Sequence, residues 1–265
     1  MHKSFRYMHF LFRFITKSHF MKKHVLFIIL LTAISVFGQE KLLVKYEQVS
    51  YPTMYDTNGK EIVQSPEMKK YFSKPVENYL TIDGKIGQYY KIEKLDNSQS
   101  SFKINMIGGI WDQNREFDFD KNEIHVEYMA NNKPYILVDT IARKNDYQLT
   151  RETKKLLGYE VKKAERKTEK ATIVVWYAPS LPARFGPDRY INFPGLVLSV
   201  QFYMDGKTEP VTEILATSVE FNDKLKPYEL KKGKIINKTE LNKMIQDDEI
   251  RQKEELIQNQ GVDKT

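Results

Sequence analysis

The dominant pattern in this chain is a period of two. Leu42, Val44 and Tyr46 alternate with Lys45 and Glu47, which suits a strand buried on one face only. Segments 79–82 and 86–92 flank Asp83-Gly84, and segments 123–128 and 135–138 flank Asn131-Asn132. Both dipeptides supply the positive φ angles of tight hairpin turns. Asn58-Gly59 marks another turn, and residues 68–72 allow a short helical piece. Segments 101–107 (followed by Gly108-Gly109), 147–155, 160–164, 171–177, 196–203 and 213–221 extend the series to about ten or eleven strands, with Asp205-Gly206 turning the last pair. Strands joined by short turns, with no long helical pattern between them, predict antiparallel pairing rather than βαβ units. The expected fold class is therefore mainly β: a single antiparallel, strongly curved sheet or half-barrel with a C-terminal helical tail. The expected divisions are a leader at 1–38, a β domain at 39–236 and a helical, partly disordered tail at 237–265, with Thr239 as its N-cap.

The leader sets location and charge. Lys22 and Lys23 precede an apolar run at 25–34, and Val36 and Gly38 are small enough for a cleavage site before Gln39, so 21–38 reads as a secretory signal peptide. The first twenty residues are either a long basic head removed with it or sequence upstream of a start at Met21. After cleavage, 36 basic residues face 35 acidic ones, which removes the electrostatic footprint of a nucleic-acid-binding protein. No later segment matches a membrane span, and no Cys is present to carry a lipid. The expected location is the periplasm, in soluble form.

Several chemistries lack their residues. Cysteine is absent, and His125 is the single histidine after residue 38, which excludes His/Cys zinc sites, Cys nucleophiles and disulfides. No metal and no cofactor are expected. Asp118, Asp120 and Asn122 imitate half a calcium loop, but Glu123 and Met129 occupy the positions that need Gly and Glu, so a solvated acidic turn is expected. His125 lies between Ile124 and Val126 and faces the opposite side of its strand, as a surface or hydrogen-bonded residue. No catalytic residue is singled out, although two carboxylates of a glycosidase could converge in space without leaving a motif. The many Tyr and Phe, with Trp111 and Trp176, suit either a core or an apolar groove.

Residues 157–200 carry the motifs. Gly158-Tyr159-Glu160-Val161-Lys162-Lys163-Ala164 is followed by Trp176-Tyr177, Pro179, Leu181-Pro182, Phe185-Gly186-Pro187 and Phe193-Pro194-Gly195-Leu196. In this order they resemble the GLPGLI family, a periplasmic family of Bacteroidetes, with Phe193 in place of a Leu and Val161 where many members carry Cys. The same order is similar to LolA-like half-barrels, which hold acyl chains or peptides. The resemblance makes Trp176, Tyr177, Pro182, Phe185, Gly186, Pro187, Phe193, Pro194, Gly195 and Leu196 candidate binding residues. It implies an exported binding or accessory protein for a lipid or peptide ligand or an outer-membrane partner protein. The alternative is an envelope hydrolase with an unidentified carboxylate pair, and a scaffolding role stands beside the first. The Pro and Gly residues would build two bends, with Gly195 at positive φ, unless Phe185 or Tyr190 is exposed for docking.

Overall fold

The computed structural model describes residues 41–51, 64–92, 110–141 and 146–262. The leader, its cleavage point, the Asn58-Gly59 turn, the 101–107 strand and Gly108-Gly109 lie outside the described residues. In chain order the elements are β1 (Leu42–Ser50), α1 (Pro66–Phe72), β2 (Val76–Asp83), β3 (Ile86–Lys91), β4 (Ile110–Asp118), β5 (Glu123–Ala130) and β6 (Lys133–Thr140). These are followed by β7 (Gln148–Leu156), β8 (Tyr159–Lys167), β9 (Ala171–Ala178), β10 (Leu196–Met204), β11 (Thr212–Phe221), β12 (Lys234–Ile236) and α2 (Lys238–Val262). The strands form one 12-stranded sheet in the order β12-β6-β5-β4-β3-β2-β1-β11-β10-β9-β8-β7, open at both edges rather than closed into a barrel. The mainly-β class with a C-terminal helix stands as expected. The sheet is mixed rather than purely antiparallel, because β12 runs parallel to β6.

Local chemistry explains most of the turns. Gly84 has φ 62°, and Asn131 and Asn132 have φ 50° and 59°, the left-handed values that tight hairpins require. Leu157 (φ 51°) and Gly158 (φ 83°) make a third such turn, which closes the β7–β8 hairpin. The Ser65 hydroxyl caps α1 by accepting from the Met68 amide at 3.2 Å. The N-cap of α2 is Asn237, not Thr239. Its Oδ1 accepts from the Glu240 amide at 3.0 Å, while the Glu240 carboxylate accepts from the Asn237 amide at 2.9 Å.

The main core lies on one face of the sheet. Leu42, Val44 and Tyr46 of β1, Leu80 and Ile82 of β2, Phe117 of β4 and Leu196 of β10 are buried there. The connection 179–195 folds back over this face. Phe185 (3% exposed) and Phe193 (1%) reach into the core, so Phe185 is not the exposed docking residue that a surface loop would offer. The Tyr46 hydroxyl donates to the Val197 carbonyl at 2.6 Å, tying β1 to the strand that follows the connection. Each such aromatic ring contributes roughly 1.5–3 kcal/mol by leaving water. A smaller cluster on the same face, formed by Val126, Leu137 and Ile236, receives Leu241 from the first turn of α2.

Gly195 does not take a positive φ, so the turn expected of it is not what requires glycine here. The requirement is close approach: a Cβ at Gly195 would collide with the Ala178 carbonyl where β9 leaves and β10 enters. At Gly87 a Cβ would lie 2.5 Å from Phe185 Cδ1. Gly195→Ala and Gly87→Ala are each expected to lower stability by about 1–3 kcal/mol. Denaturant unfolding of the two variants against the parent chain measures this.

Candidate functional site

On the face opposite the main core, strand register sets polar side chains side by side. Thr81 of β2 pairs with Gln88 of β3, Gln88 with Glu116 of β4, Glu116 with His125 of β5, and His125 with Val138 of β6. Directly opposed residues on one face of an antiparallel sheet are close enough to interact. Gln88 Nε2 donates to Glu116 Oε2 at 2.7 Å. His125 Nδ1 lies 3.6 Å from Glu116 Oε1, and its Nε2 lies 3.3 Å from Glu123 Oε2. An imidazole thus sits between two carboxylates, all of them partly open to solvent.

Residues 222–233 cross this face as a strap, from the end of β11 to β12 at the sheet edge. Tyr228 anchors it. The Tyr228 amide donates to Gln88 Oε1 at 2.8 Å, and Gln88 Nε2 returns a bond to the Tyr228 carbonyl at 2.7 Å. The Tyr228 ring stacks on Tyr90 at 4.4 Å, and Tyr90 stacks on Tyr79 at 5.7 Å. Its hydroxyl accepts from Asn114 Nδ2 at 2.7 Å. The Tyr79 hydroxyl bonds to Glu77, which pushes it up to about 12.

Glu127 is fully buried beneath the strap. It accepts from Asn114 Nδ2 at 3.2 Å and from the Lys231 amide at 3.4 Å, and Lys231 Nζ lies 3.7 Å from its other oxygen. Between strap and sheet an open groove of about 680 Å³ is lined by Gln88, Glu116, His125, Ile136, Val138 and Tyr228, among others. Lys41 also lines it, paired with Asp83 at 2.9 Å.

The ten residues singled out by sequence motif are elsewhere. Tyr177, Phe185, Phe193 and Leu196 lie in the core, with Pro182, Gly186, Pro187, Pro194 and Gly195 shaping the connection around them. Trp176 lies at the edge of that cluster, its ring capped by Lys154 Nζ at 4.1 Å. None of the ten lines the groove. Gln88, Asn114, Glu116, Glu127 and Tyr228 were not singled out by sequence. The only signal for them is the alternation His125-Val126-Glu127-Tyr128, which gives β5 one polar face. Asp118 of the acidic turn accepts from the amides of Asp120 (3.1 Å) and Lys121 (2.9 Å). The Lys121 amide and ammonium hold the Asp118 carboxyl below the usual carboxylate range. Among the described residues, no cluster of acids and histidine is arranged to hold a metal ion, and no helix is long and apolar enough to cross a membrane.

The domain is an open 12-stranded sheet with a carboxylate–imidazole groove on one face, crossed by a strap. The chain belongs to the family described as "N-glycanase peptide, N-terminal domain", whose model matches residues 114–247. Two solved structures of PNGF-II, in space groups P21 and C2, are similar over 78% of this chain at 21% and 22% identity, each with a TM-score of 0.50. The chain spans about a third of their length, 33% and 32%. No curated protein matches it.

These findings overturn the resemblance to the GLPGLI family and to LolA-like half-barrels, and with it the main reading of an apolar-ligand or envelope-partner binding protein. The physical reason lies in the motif. Its Trp, Pro, Gly and Phe residues build a core-packed bend, a way of closing a sheet over its core that unrelated families share.

Glu127→Ala is expected to lower stability by about 2 kcal/mol, because it removes the acceptor for Asn114 and for the Lys231 amide. Glu127→Gln, which keeps an acceptor, should cost less. Thermal unfolding of the two variants checks this order.

Proposed function

We propose that the chain acts in the hydrolysis of N-linked glycans, as the N-terminal domain of an N-glycanase-type protein, with the strapped groove as its working surface. The family match over 114–247 carries this reading, since that span holds Glu116, His125 and the whole strap. It also favours the hydrolase alternative over ligand carriage. Hydrolysis needs a group that takes a proton from water and one that returns a proton to the departing atom. Glu116 and His125, 3.6 Å apart and open to the groove, supply a carboxylate and an imidazole for that exchange. Glu123 Oε2 lies 3.3 Å from the second imidazole nitrogen and completes the polar row around the ring. The signal peptide at 21–38 supports action outside the cytoplasm, in the periplasm.

The test is direct. Protein purified from its own cells is incubated with a glycoprotein bearing N-linked glycans, and freed oligosaccharide is read by mass spectrometry. Release is expected, falling by about a hundredfold in Glu116→Gln and in His125→Asn at unchanged melting temperature. Absence of release, or release indifferent to both substitutions, overturns the reading.

A further inference from the structure

The Gln88 side chain hydrogen-bonds both the strap and the Glu116 carboxylate. A primary amide has two N–H donors and an oxygen with two acceptor sites. At Gln88 all four are used. The donors go to the Tyr228 carbonyl and to Glu116 Oε2, both at 2.7 Å. The oxygen accepts from the Tyr228 amide at 2.8 Å and from the Thr81 hydroxyl at 3.4 Å. The reverse orientation of the amide would set N–H against N–H at Tyr228 and oxygen against oxygen at Glu116. One rotamer alone satisfies every partner.

We propose that Gln88 is a positioning residue of this groove, coupling the seat of the strap to the orientation of the Glu116 carboxylate. The amide is planar, so it cannot follow Tyr228 outward without turning the N–H that holds Glu116 Oε2. With the strap seated, Gln88 occupies Oε2 and leaves Oε1 directed at His125 Nδ1. With the strap displaced, the carboxylate turns freely and no single oxygen is held toward the imidazole. A ligand that lifts or presses the strap at Tyr228 thereby changes the proton-handling pair beneath it. Only the activity arm of the test rests on the glycan reading.

Two variants of the full chain test the coupling. Gln88→Met keeps the side-chain length and removes its donors and acceptor. Tyr228→Ala loosens the strap by losing the Tyr90 stack and the Asn114 bond, with Gln88 and Glu116 in place. Hydrogen exchange across 225–231 reads the strap. The titration midpoint of the imidazole NMR signal that disappears in His125→Asn reads the pair. Each variant is expected to speed strap exchange about tenfold and to move the His125 midpoint by roughly a few tenths of a pH unit. Asp223→Asn, an exposed strap acid that does not line the groove, should change neither.

Faster strap exchange with an unmoved His125 midpoint overturns the coupling, as does a Gln88→Met protein unchanged in both. If Gln88→Met fails to fold, Tyr228→Ala decides by the same two readings. In glycan release, Gln88→Met should lower kcat with KM nearly unchanged. A wild-type protein that releases nothing sinks the glycan reading, while exchange and titration still decide the coupling.

Discussion

Arg115 and Glu116 are neighbours in β4 and point to opposite faces of the sheet, and each is a charge partly or wholly removed from water. A buried charge costs several kcal/mol unless it is paired, so each needs a partner close at hand. On the core face the partner is Asp188, whose Oδ1 lies 2.6 Å from Arg115. Asp188 sits in the 179–195 connection at φ 51°, a left-handed conformation that Asp tolerates better than most residues. On the other face Glu116 is held by Gln88 and faces His125, beneath the strap. Both irregular connections are tied to β4, the 179–195 connection through Arg115 and Asp188 and the strap through Asn114 and the Tyr228 hydroxyl.

The strap has its own accounting to satisfy. It crosses the strands rather than running along them, so its main chain cannot join a regular ladder, yet buried amides and carbonyls need partners. At Tyr228 the Gln88 amide supplies a donor and an acceptor together, imitating one step of strand pairing. Regular pairing resumes at β12, parallel to β6, with Lys234 opposite Tyr135 and Ile236 opposite Leu137. The Asn237–Glu240 capping box then starts α2, whose Leu241 turns to the core face, and Arg251 reaches Asn131 in the β5–β6 turn at 3.2 Å. The family match, 114–247, runs from β4 through both covers and into α2.

Hairpins were legible because their turns are a local code. Gly84 and the pair Asn131-Asn132 supply the left-handed turn residues, and the strands on either side follow from alternation. β4 was not legible. Its Asn114-Arg115-Glu116 run shows no alternation, because polar side chains are used on both faces, and this is the strand that carries the site. β12 is three residues long, too short for any period, and Asn237 was passed over as N-cap in favour of Thr239. The Pro and Gly residues from Pro182 to Gly195 were legible as builders of two bends, but the reason for the glycines was not. Here close approach requires them, as at Gly195 against the Ala178 carbonyl.

The groove row had no local signature to find. Thr81, Gln88, Glu116 and His125 come from four strands and meet only through register. A one-residue slip in an antiparallel pair sends every side chain to the other face. Slipping β4 against β5 would set Phe117 or Arg115 beside His125 and drive Glu116 toward the core. What fixes that register is the acidic turn 118–122, whose Asp118 carboxylate collects the amides of Asp120 and Lys121 while Asn122 takes φ 60°. The same Asp and Asn residues that imitate half a calcium loop thus have a structural use. By closing the β4–β5 hairpin at one register, they place a carboxylate next to His125, the single histidine after residue 38.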